Sequence, residues 1–319
     1  MNNMPMVSIV TPVFNARKWL EETAHSVLSQ SYKNIEWVVV NDGSSDDSLA
    51  YLESLNDNRV RVFSSERRGA CSARNQGWRE ARGQYIKWID ADDLMSLNAI
   101  EVQMARITEA GDDYLVNGAW GRFTDSPQNT VYQPTPLWAD MSPMDFLVCT
   151  WEDGGMMASH AWLLPINLAK RAGPWNESLR KNQDGEFFCR ALLVSQGAVF
   201  CPEARFLYRS GRADSVSQYH DRDIETTWLH SLELCESRMR VVEDSPRVRQ
   251  ACANAYLRYA VKVYPVYKTL AAHADARVKA LGGASRFLEK GRAFALLSRL
   301  AGWRFARLIQ YWQQRMCCQ

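Results

Sequence analysis

The chain has 319 residues, which is more than one compact domain usually holds, so we expect a principal domain with an extension or a second module. The 38 Lys and Arg residues nearly balance the 36 Asp and Glu residues, and a net charge of +2 argues against a nucleic-acid-binding protein. A hydrophobic share of 46% excludes wholesale disorder.

Short β-branched runs alternate with helical periodicity in the first third of the chain. Strands are predicted at residues 7–11, 35–40, 60–63 and 85–89. Helices are predicted after Asn15 as N-cap, after the turn NDGSSDD, over residues 70–81, and from Ser96 as cap, with Leu97 on the apolar face, to Gly111. This alternation indicates right-handed crossovers and a mainly parallel sheet that helices cover on both faces.

The pattern changes in the rest of the chain. Residues 114–120 are compatible with another strand, whereas residues 125–143 contain four prolines and are predicted to be loop-rich. From about Ile224 onward strand signals disappear and helical periodicity dominates. We therefore expect a main α/β domain over residues 1–220 and a helical C-terminal extension over residues 221–319.

Neither cysteine nor histidine indicates a metal site. The eight cysteines are scattered without a CxxC pair, so most are expected to be small buried hydrophobic residues. His160 precedes an apolar segment and is interpreted as a structural histidine. No stretch approaches the roughly 18 to 20 apolar residues that cross a bilayer, and the first ten residues do not resemble a signal peptide. The expected location is cytoplasmic.

The last 34 residues, 286–319, combine positive charge with aromatic and aliphatic side chains. They hold seven Lys or Arg residues and one acid, Glu289. This composition is typical of an interfacial basic amphipathic helix and predicts peripheral contact with an anionic membrane at its cytoplasmic face. A plain helical bundle is the alternative.

Three carboxylates follow the predicted fourth strand in the segment WIDADDL. Asp90, Asp92 and Asp93 repel one another at a strand end unless a cation or solvent offsets their charge. A hard divalent ion, Mg²⁺ or Mn²⁺, suits such oxygen ligands and often completes its shell with substrate phosphates. The alternative is an acidic loop that caps the next helix.

A second polar turn, VVVNDGSSDDS, ends the predicted second strand. Gly43 allows a backbone conformation that other residues resist, and Asp42 and Ser44 offer polar atoms at the sheet edge. Ligands bind at the carboxyl ends of parallel strands, where this turn, residues 12–15 and residues 90–93 all lie. An ordinary strand-to-helix turn would have the same composition.

Several stretches together resemble the inverting glycosyltransferases of family 2, which have the GT-A fold. The matching stretches are VSIVTPVFNARKWLEETAHSVLSQSY, IEWVVVNDGSSDDS, GACSARNQGWREARGQYIKWIDADDL, AGPWNESLRKNQDGEFFCRALL and YRSGRADSVS. They occur in the family's order and spacing over residues 6–217. The resemblance implies a nucleotide-sugar-binding half at residues 1–112 and an acceptor and catalytic half at residues 113–220.

The resemblance also implies roles for residues of the nucleotide pocket. Pro12, Val13 and Asn15 would line the pocket, and Asp42 would hydrogen-bond the base, usually uracil in this family. Arg74, in SARNQG, would approach the phosphates or an acidic partner. Its guanidinium supplies the forked donors that such contacts use.

By the same resemblance, Asp90 and Asp92 match the family's DxD motif and would hold the divalent cation, with Asp92 the more direct ligand. Asp184 would be the general base that takes a proton from the acceptor hydroxyl, and Glu186 is the weaker candidate for this role. Gln183 stands where many relatives have an acid.

Two arginines in YRSGRADSVS, Arg209 and Arg212, would close over the diphosphate as a flexible cationic flap. The implied activity is transfer of a sugar, from a uridine-linked donor, to a glycan or lipid-linked acceptor in the synthesis of a surface polysaccharide. Divalent metal dependence and inversion at the anomeric carbon are part of this expectation.

Two other functions stay open on the sequence. A nucleotidylyltransferase also uses acidic metal ligands, but it should carry a glycine-rich basic loop after the first strand, and TPVFNARKWL has no glycine. A catalytically inactive nucleotide-sugar-binding scaffold subunit, attached through the basic C-terminus, would keep the donor pocket without turnover.

Overall fold

Strands and helices alternate in the first part of the computed structural model, which describes residues 4–153, 155–211, 221–285 and 292–317. Its strands are β1 (Val7–Val13), β2 (Ile35–Asp42), β3 (Val60–Ser65), β4 (Tyr85–Trp88), β5 (Leu94–Met95), β6 (Tyr114–Phe123), β7 (Val131–Tyr132), β8 (Leu164–Pro165) and β9 (Gly197–Arg209). Its helices are α1 (Arg17–Leu28), α2 (Ser48–Glu53), α3 (Ala70–Glu80), α4 (Ala99–Ala110), α5 (Pro143–Asp153), α6 (Ile166–Ala172), α7 (Gln183–Leu193), α8 (Arg222–Val242), α9 (Pro246–Val263), α10 (Lys268–Ala280), α11 (Arg292–Ala301) and α12 (Trp303–Cys317).

The first sheet has the strand order β3-β2-β1-β4-β8. All its pairings are parallel except that of β4 with β8, so the predicted mainly parallel sheet is confirmed. Every residue of β2 is buried, as expected for a strand that is covered on both faces. Gly77 lets α3 lie close to this sheet, because a Cβ atom there would be 2.5 Å from Cγ1 of Val10.

The second sheet has the order β5-β9-β6-β7 and forms around the long parallel pair β6 and β9. The register of this pair shifts between Gly118 and Ala119, whose partners are Cys201 and Arg205. A Cβ atom on Gly118 would be 2.6 Å from the Ala204 carbonyl oxygen, so a larger residue would not fit at this irregularity. The C-terminal half of β9 carries residues of the candidate site.

Two helix starts differ from the prediction. Asn15 has a positive φ of 47° and precedes the N-cap of α1, which is Ala16. The Asn15 side chain instead accepts a hydrogen bond from the Ser45 backbone N–H at 2.8 Å. Helix α4 begins after Asn98, while the Ser96 hydroxyl accepts from the Arg205 N–H in β9, and Leu97 is 62% exposed.

An aromatic cluster forms the core beneath the carboxyl end of β4. The Trp88 ring centroid lies 5.4 Å from that of Trp175 and 5.0 Å from that of Phe187, and the Trp175 and Phe187 rings stack at 4.3 Å. All three side chains are fully buried. This cluster fixes the positions of α7 and the preceding segment against β4.

The chain divides into two units, one made of Met1–Phe146 and Met156–Gln218 and the other of Leu147–Gly155 and Tyr219–Gln319. All secondary-structure elements among the described residues from 222 onward are helices, as the sequence predicts for an extension. In this second unit buried Glu236 accepts a hydrogen bond from the Tyr256 hydroxyl at 2.8 Å and pairs with Arg240 and Arg277. None of the helices in the described ranges has the length and apolar character that crossing a membrane requires.

Candidate active site

The acidic turn after β4 lies at the carboxyl edge of the first sheet. The Ile89 N–H donates to the Val10 carbonyl, and the Asp93 N–H closes the turn onto the Asp90 carbonyl. The hydroxyl of Thr23 in α1 donates to the carbonyls of Ala91 and Asp93. Helix α1 therefore fixes the backbone of this turn.

Asp93 is buried and belongs to the supporting structure. Its Oδ2 lies 3.0 Å from Nδ1 of buried His160, and its Oδ1 accepts from the Arg209 N–H at 2.9 Å. The Lys87 ammonium donates to the carbonyls of His160 and Trp162, and burial lowers the pKa of Lys87 well below its usual value. His160 thus has the structural position that the sequence predicts. Asp90 and Asp92 keep partly exposed positions in the same turn.

Arg74 connects two of the predicted site segments. Its Nη2 donates to Oδ1 of Asp90 at 2.7 Å, and its Nη1 donates to Oε1 of Gln183 at 2.9 Å. The guanidinium lies 4.7 Å from the centroid of the Trp175 ring, which supports it from below. Since Gln183 opens α7 and Asp90 follows β4, this arginine brings the start of α7 to the acidic turn.

Asp184 lies in the first turn of α7, next to Gln183. Burial raises the pKa of the Asp184 carboxyl, and the negative charge of Asp90 adds to this effect. A hydrogen bond from the Gly185 N–H and the positive charge of Arg74 oppose the rise in pKa. A carboxylate with a raised pKa is a stronger base than an ordinary exposed aspartate.

Glu186 has a different environment from Asp184. It is buried, and its two carboxylate oxygens accept from Nε and Nη2 of Arg190 at 2.8 and 2.9 Å. Arg190 also donates to backbone carbonyls of the segment before α7, including that of Pro174. The ion pair holds α7 against this segment.

The carboxyl ends of β1 and β2 carry the residues that were predicted to line the nucleotide pocket. Pro12 and Val13 end β1 and pair with Val40 and Asn41 of β2. The Asp42 carboxylate accepts hydrogen bonds from the backbone N–H groups of Arg68 and Gly69, at 2.7 and 2.8 Å. Asp42 therefore fixes the loop before α3, and a carboxylate retains further acceptor sites after two such bonds.

Arg209, predicted as part of a flexible flap, is anchored and buried. Its Nε donates to the Asp92 carbonyl at 3.0 Å, and its Nη2 contacts Oε2 of Glu22 at 2.7 Å. The guanidinium also lies between the Trp19 and Phe123 rings, at 4.3 and 4.5 Å from their centroids. These contacts are those of a fixed residue that supports the acidic turn. The second flap residue, Arg212, lies outside the described residues.

Tyr208 is a neighbour of the acidic turn that the sequence analysis did not single out. Burial raises the pKa of its hydroxyl to about 12, with added effects of the charges on Asp93, Asp90 and Asp92. Its phenol is therefore neutral near neutral pH. The sequence analysis did not predict β9 as a strand. It therefore had no basis for placing Tyr208 beside the acidic turn.

The carboxylates of the turn can hold a divalent cation only if other groups supply most of its ligands. In the described ranges, no group of three or more His, Cys, Asp or Glu side chains is arranged to hold a metal ion. Asp93 is engaged with His160, so Asp90 and Asp92 are the acids of the turn that have exposed area. One or two carboxylates suffice for Mg²⁺ when substrate phosphates supply other ligands.

Comparison with known proteins identifies the family. The family model described as Glycosyl transferase family 2 matches residues 8–164. Glycosyltransferase GlyG of Streptococcus pneumoniae serotype 4 is 35% identical over 236 residues, which are 71% of this chain and 77% of GlyG. The chain belongs to glycosyltransferase family 2. This membership leaves no support for the nucleotidylyltransferase alternative.

Two further likenesses extend the comparison. TuaG of Bacillus subtilis, a putative teichuronic acid biosynthesis glycosyltransferase, is 37% identical over 111 residues, which are 34% of this chain and 44% of TuaG. The crystal structure of S. aureus TarS 1–349 in complex with UDP-GlcNAc has a TM-score of 0.72 at 18% identity, covering 97% of this family 2 chain and 92% of that structure. The structural likeness confirms the GT-A fold class and the helical C-terminal region.

Some curated relatives are much longer. The family 2 chain spans 41% and 40% of the length of two uncharacterized glycosyltransferases from Rickettsia felis and Rickettsia conorii.

Proposed function

We propose that this glycosyltransferase moves a sugar from a UDP-sugar to a hydroxyl group of a glycan or lipid-linked acceptor in surface polysaccharide synthesis, with inversion at the anomeric carbon. Two likenesses support the substrate classes. The TarS structure was solved with UDP-GlcNAc, and the name of TuaG refers to teichuronic acid biosynthesis. In this proposal residues 1–112 bind the donor, residues 113–220 bind the acceptor and residues 221–319 form the helical extension.

The observation that carries the proposal is the double contact of Arg74. One guanidinium bonds both Asp90, in the acidic turn, and Gln183, the neighbour of Asp184. The electrostatic influence of Asp90 and Arg74 on Asp184 agrees with this closeness. Such an arrangement suits a reaction in which a phosphate leaves on one side while a hydroxyl group is deprotonated on the other.

Asp184 is the proposed general base. The acceptor oxygen must lose its proton as it attacks, and the partly buried carboxylate of Asp184 is proposed to accept that proton. The sugar carbon is attacked on the face opposite the leaving nucleoside diphosphate, and a single displacement of this kind inverts the configuration, as in inverting glycosidases. Glu186 serves α7 through its pair with Arg190, so the proposal does not assign it proton transfer.

Asp92 and Asp90 are the proposed ligands of a divalent cation, Mn²⁺ or Mg²⁺. When bound, the cation supplies positive charge that stabilises the leaving diphosphate. The chain's own contribution is to fix the turn: Thr23 holds two of its carbonyls, and Arg209 holds the Asp92 carbonyl. Arg74 keeps Asp90 at a defined position.

The proposed donor pocket uses the ends of β1 and β2. Pro12 and Val13 line it through their backbone, and Asp42 reads the base from a loop that it already holds together. Asn15 fixes the opposite rim through its bond to the Ser45 N–H. Arg209 supports the acidic turn, and a flap role is kept only for Arg212.

The decisive experiment measures UDP release from a panel of UDP-hexoses and UDP-N-acetylhexosamines, and UDP binding by calorimetry. Asp184→Asn should lower turnover roughly 100- to 10,000-fold, the usual contribution of a general base. Its UDP dissociation constant should stay within about twofold, since the proposal places Asp184 at the acceptor hydroxyl and not at the nucleotide. Adding EDTA should abolish turnover of the wild-type enzyme.

Two variants serve as controls for Asp184→Asn. Asp125→Asn changes an exposed aspartate outside the site and should retain wild-type turnover. Glu186→Gln tests the rival base. Loss of UDP binding in Asp184→Asn would contradict its assignment as base, and full turnover in EDTA would contradict the metal assignment. UDP binding without turnover on any acceptor would favour the scaffold alternative.

We also propose that α11 and α12 contact an anionic membrane at its cytoplasmic face. Each helix buries one face, through Phe294 and Ser298 in α11 and Ala306 in α12. Apolar side chains are exposed elsewhere on the same two helices: Leu296, Leu300, Phe305, Trp312 and Met316. Residues 292–319 contain five arginines and no acid, which adds attraction to anionic lipids. Residues 286–291 and 318–319 of the predicted membrane segment lie outside the described part of the chain.

A further inference from the structure

Arg122 lies over two aromatic rings of the second sheet. It is an exposed residue of β6 and pairs in register with Tyr208 of β9, so the two side chains share one face of the sheet. Its guanidinium carbon lies 5.0 Å from the Trp120 ring centroid and 5.0 Å from the Tyr208 ring centroid. Two aromatic rings thus hold one cation in place.

Among the residues that the structure describes, Arg122 makes no salt bridge, and its Nη2 contacts the sulfur of Met156 at 3.3 Å. Aromatic faces attract a guanidinium but leave its forked N–H donors available in the plane. A preorganised guanidinium without a carboxylate partner is suited to bind an oxyanion of a ligand.

The two aromatic rings that hold the Arg122 guanidinium are themselves held by neighbouring side chains. The Tyr208 ring stacks on His160 with centroids 6.4 Å apart and planes at 13°, and Nδ1 of His160 lies 3.0 Å from Asp93. The Trp120 ring meets the Tyr208 ring edge-on at 6.2 Å. Asp93 of the acidic turn is therefore connected, through two stacked rings, to the place of Arg122.

The charge distribution indicates which substrate this cation serves. Besides burial, the charges of Asp93, Asp90 and Asp92 raise the pKa of the Tyr208 hydroxyl, and the charge of Arg122 lowers it, so charges of both signs lie near this hydroxyl. An acceptor that carries a phosphate or a carboxylate is repelled by these acids unless a cation offsets the repulsion. Arg122 supplies such a charge beside Tyr208, in the half of the chain proposed to bind the acceptor.

We propose that Arg122, seated on Trp120 and Tyr208, binds an oxyanion group of the acceptor and so selects anionic glycan or glycan-phosphate acceptors over neutral ones. This inference rests on the proposed function, because it assigns Arg122 to the acceptor side of a sugar-transfer site. Arg122 determines specificity, and the Tyr208 ring is a positioning residue that acts through it.

The test uses the full chain saturated with UDP and Mn²⁺, and titrates it with three probes: glucose, glucose phosphate and glucuronate. Wild-type protein should bind at least one charged probe about tenfold or more tightly than glucose, and the two charged probes separate a phosphate from a carboxylate preference. Arg122→Gln should remove this preference and leave the UDP dissociation constant within about twofold.

Matched variants separate the proposed role from general damage. Arg205→Gln removes another exposed arginine of the same sheet, one that lies over Tyr132, and should keep the preference. Tyr208→Phe retains the ring and should keep the preference for a charged probe, whereas Tyr208→Ala should lose this preference as Arg122→Gln does.

Each outcome has a defined meaning. Equal binding of charged and neutral probes by the wild-type protein overturns the inference, and so does weaker UDP binding in Arg122→Gln, which would make Arg122 a donor contact. Failure of the wild-type protein to bind UDP at all contradicts the proposed function itself.

Discussion

At Asp184 the surrounding protein disfavours the charge that proton transfer requires. Burial and the charge of Asp90 both raise the pKa of this carboxyl, so its ionised form costs stability in the folded chain. A group with a raised folded-state pKa stabilises the fold fully at low pH, and that contribution is lost as the pH rises through the folded-state pKa.

Asp184→Asn should therefore raise the melting temperature at pH 7.5 by a few degrees, about 2–4 °C per kcal/mol for a domain of this size. The neutral amide avoids the cost of burying a charge and still accepts the hydrogen bond from the Gly185 N–H. The gain should shrink as the pH is lowered toward about 4, the ordinary aspartate pKa, because wild-type Asp184 is then protonated as well. Differential scanning fluorimetry across this range measures it.

Asp125→Asn is the control, since this exposed residue has no comparable environment and should show no such pH dependence. A less stable Asp184→Asn at pH 7.5 would contradict the account of its burial. The expected trade, more stability for less activity, is common at active sites.

Single residues show where sequence reasoning succeeds and where it stops. The crowding of Asp90, Asp92 and Asp93 after a strand predicted the candidate site, because neighbouring carboxylates repel one another unless a cation or solvent offsets their charge. Which acid faces inward depends on His160, about 70 positions away, and no local pattern contains that contact. Asparagine is a residue type that often caps helices, but the Asn15 side chain instead accepts a hydrogen bond from the turn that follows β2.

At the scale of elements, the packing of α3 on the first sheet depends on Gly77. A Cβ atom there would lie 2.5 Å from Cγ1 of Val10 and 3.3 Å from Cγ2 of Val40. Gly77→Ala should therefore push α3 away from β1 and destabilise the chain by about 1–3 kcal/mol, despite the higher helix propensity of alanine. The urea midpoint of unfolding measures this loss.

The exposed neighbour Arg79 provides the matched control, and Arg79→Ala should change the midpoint little. Unchanged stability in Gly77→Ala would mean that α3 has room to move without cost. Because α3 carries Arg74, its displacement should also weaken the contact with Asp90.

The two sheets differ in how well the sequence predicts them. The first sheet arises from consecutive strand and helix units, each with its own period of apolar residues, and the prediction of β1 to β4 is confirmed. The second sheet depends on pairing β6 with β9, which lie about 80 residues apart. Residues such as Arg205 and Tyr208 interrupt an apolar pattern in β9, so its strand character follows from tertiary pairing rather than from periodicity.

For the whole molecule, the membrane proposal predicts flotation with vesicles. The full chain should float with vesicles rich in phosphatidylglycerol more than with phosphatidylcholine vesicles, and salt should weaken the binding because it screens the arginines. The double variant Phe305→Ser and Trp312→Ser removes two side chains that are 51% and 54% exposed in α12. Its bound fraction should fall severalfold.

The matched control is the double variant Val241→Ser and Val242→Ser, at the end of α8. Val241 is 87% exposed and apolar, but it is outside the arginine-rich segment. Equal flotation of the α12 variant and the wild-type protein would defeat the membrane proposal. A change of oligomeric state on the same substitution would instead assign the face to a second copy of the chain.

Arg74 donates hydrogen bonds to both Asp90 and Gln183, and Gln183 lies 109 positions away from it in the sequence. Because two separate segments depend on this one side chain, a substitution in one segment affects which residues the other segment tolerates. If Gln183 were replaced by an acid, as the resemblance implies for many relatives, Arg74 would hold two negative partners at once. An acid at position 183 should therefore occur only in lineages that keep an arginine at position 74.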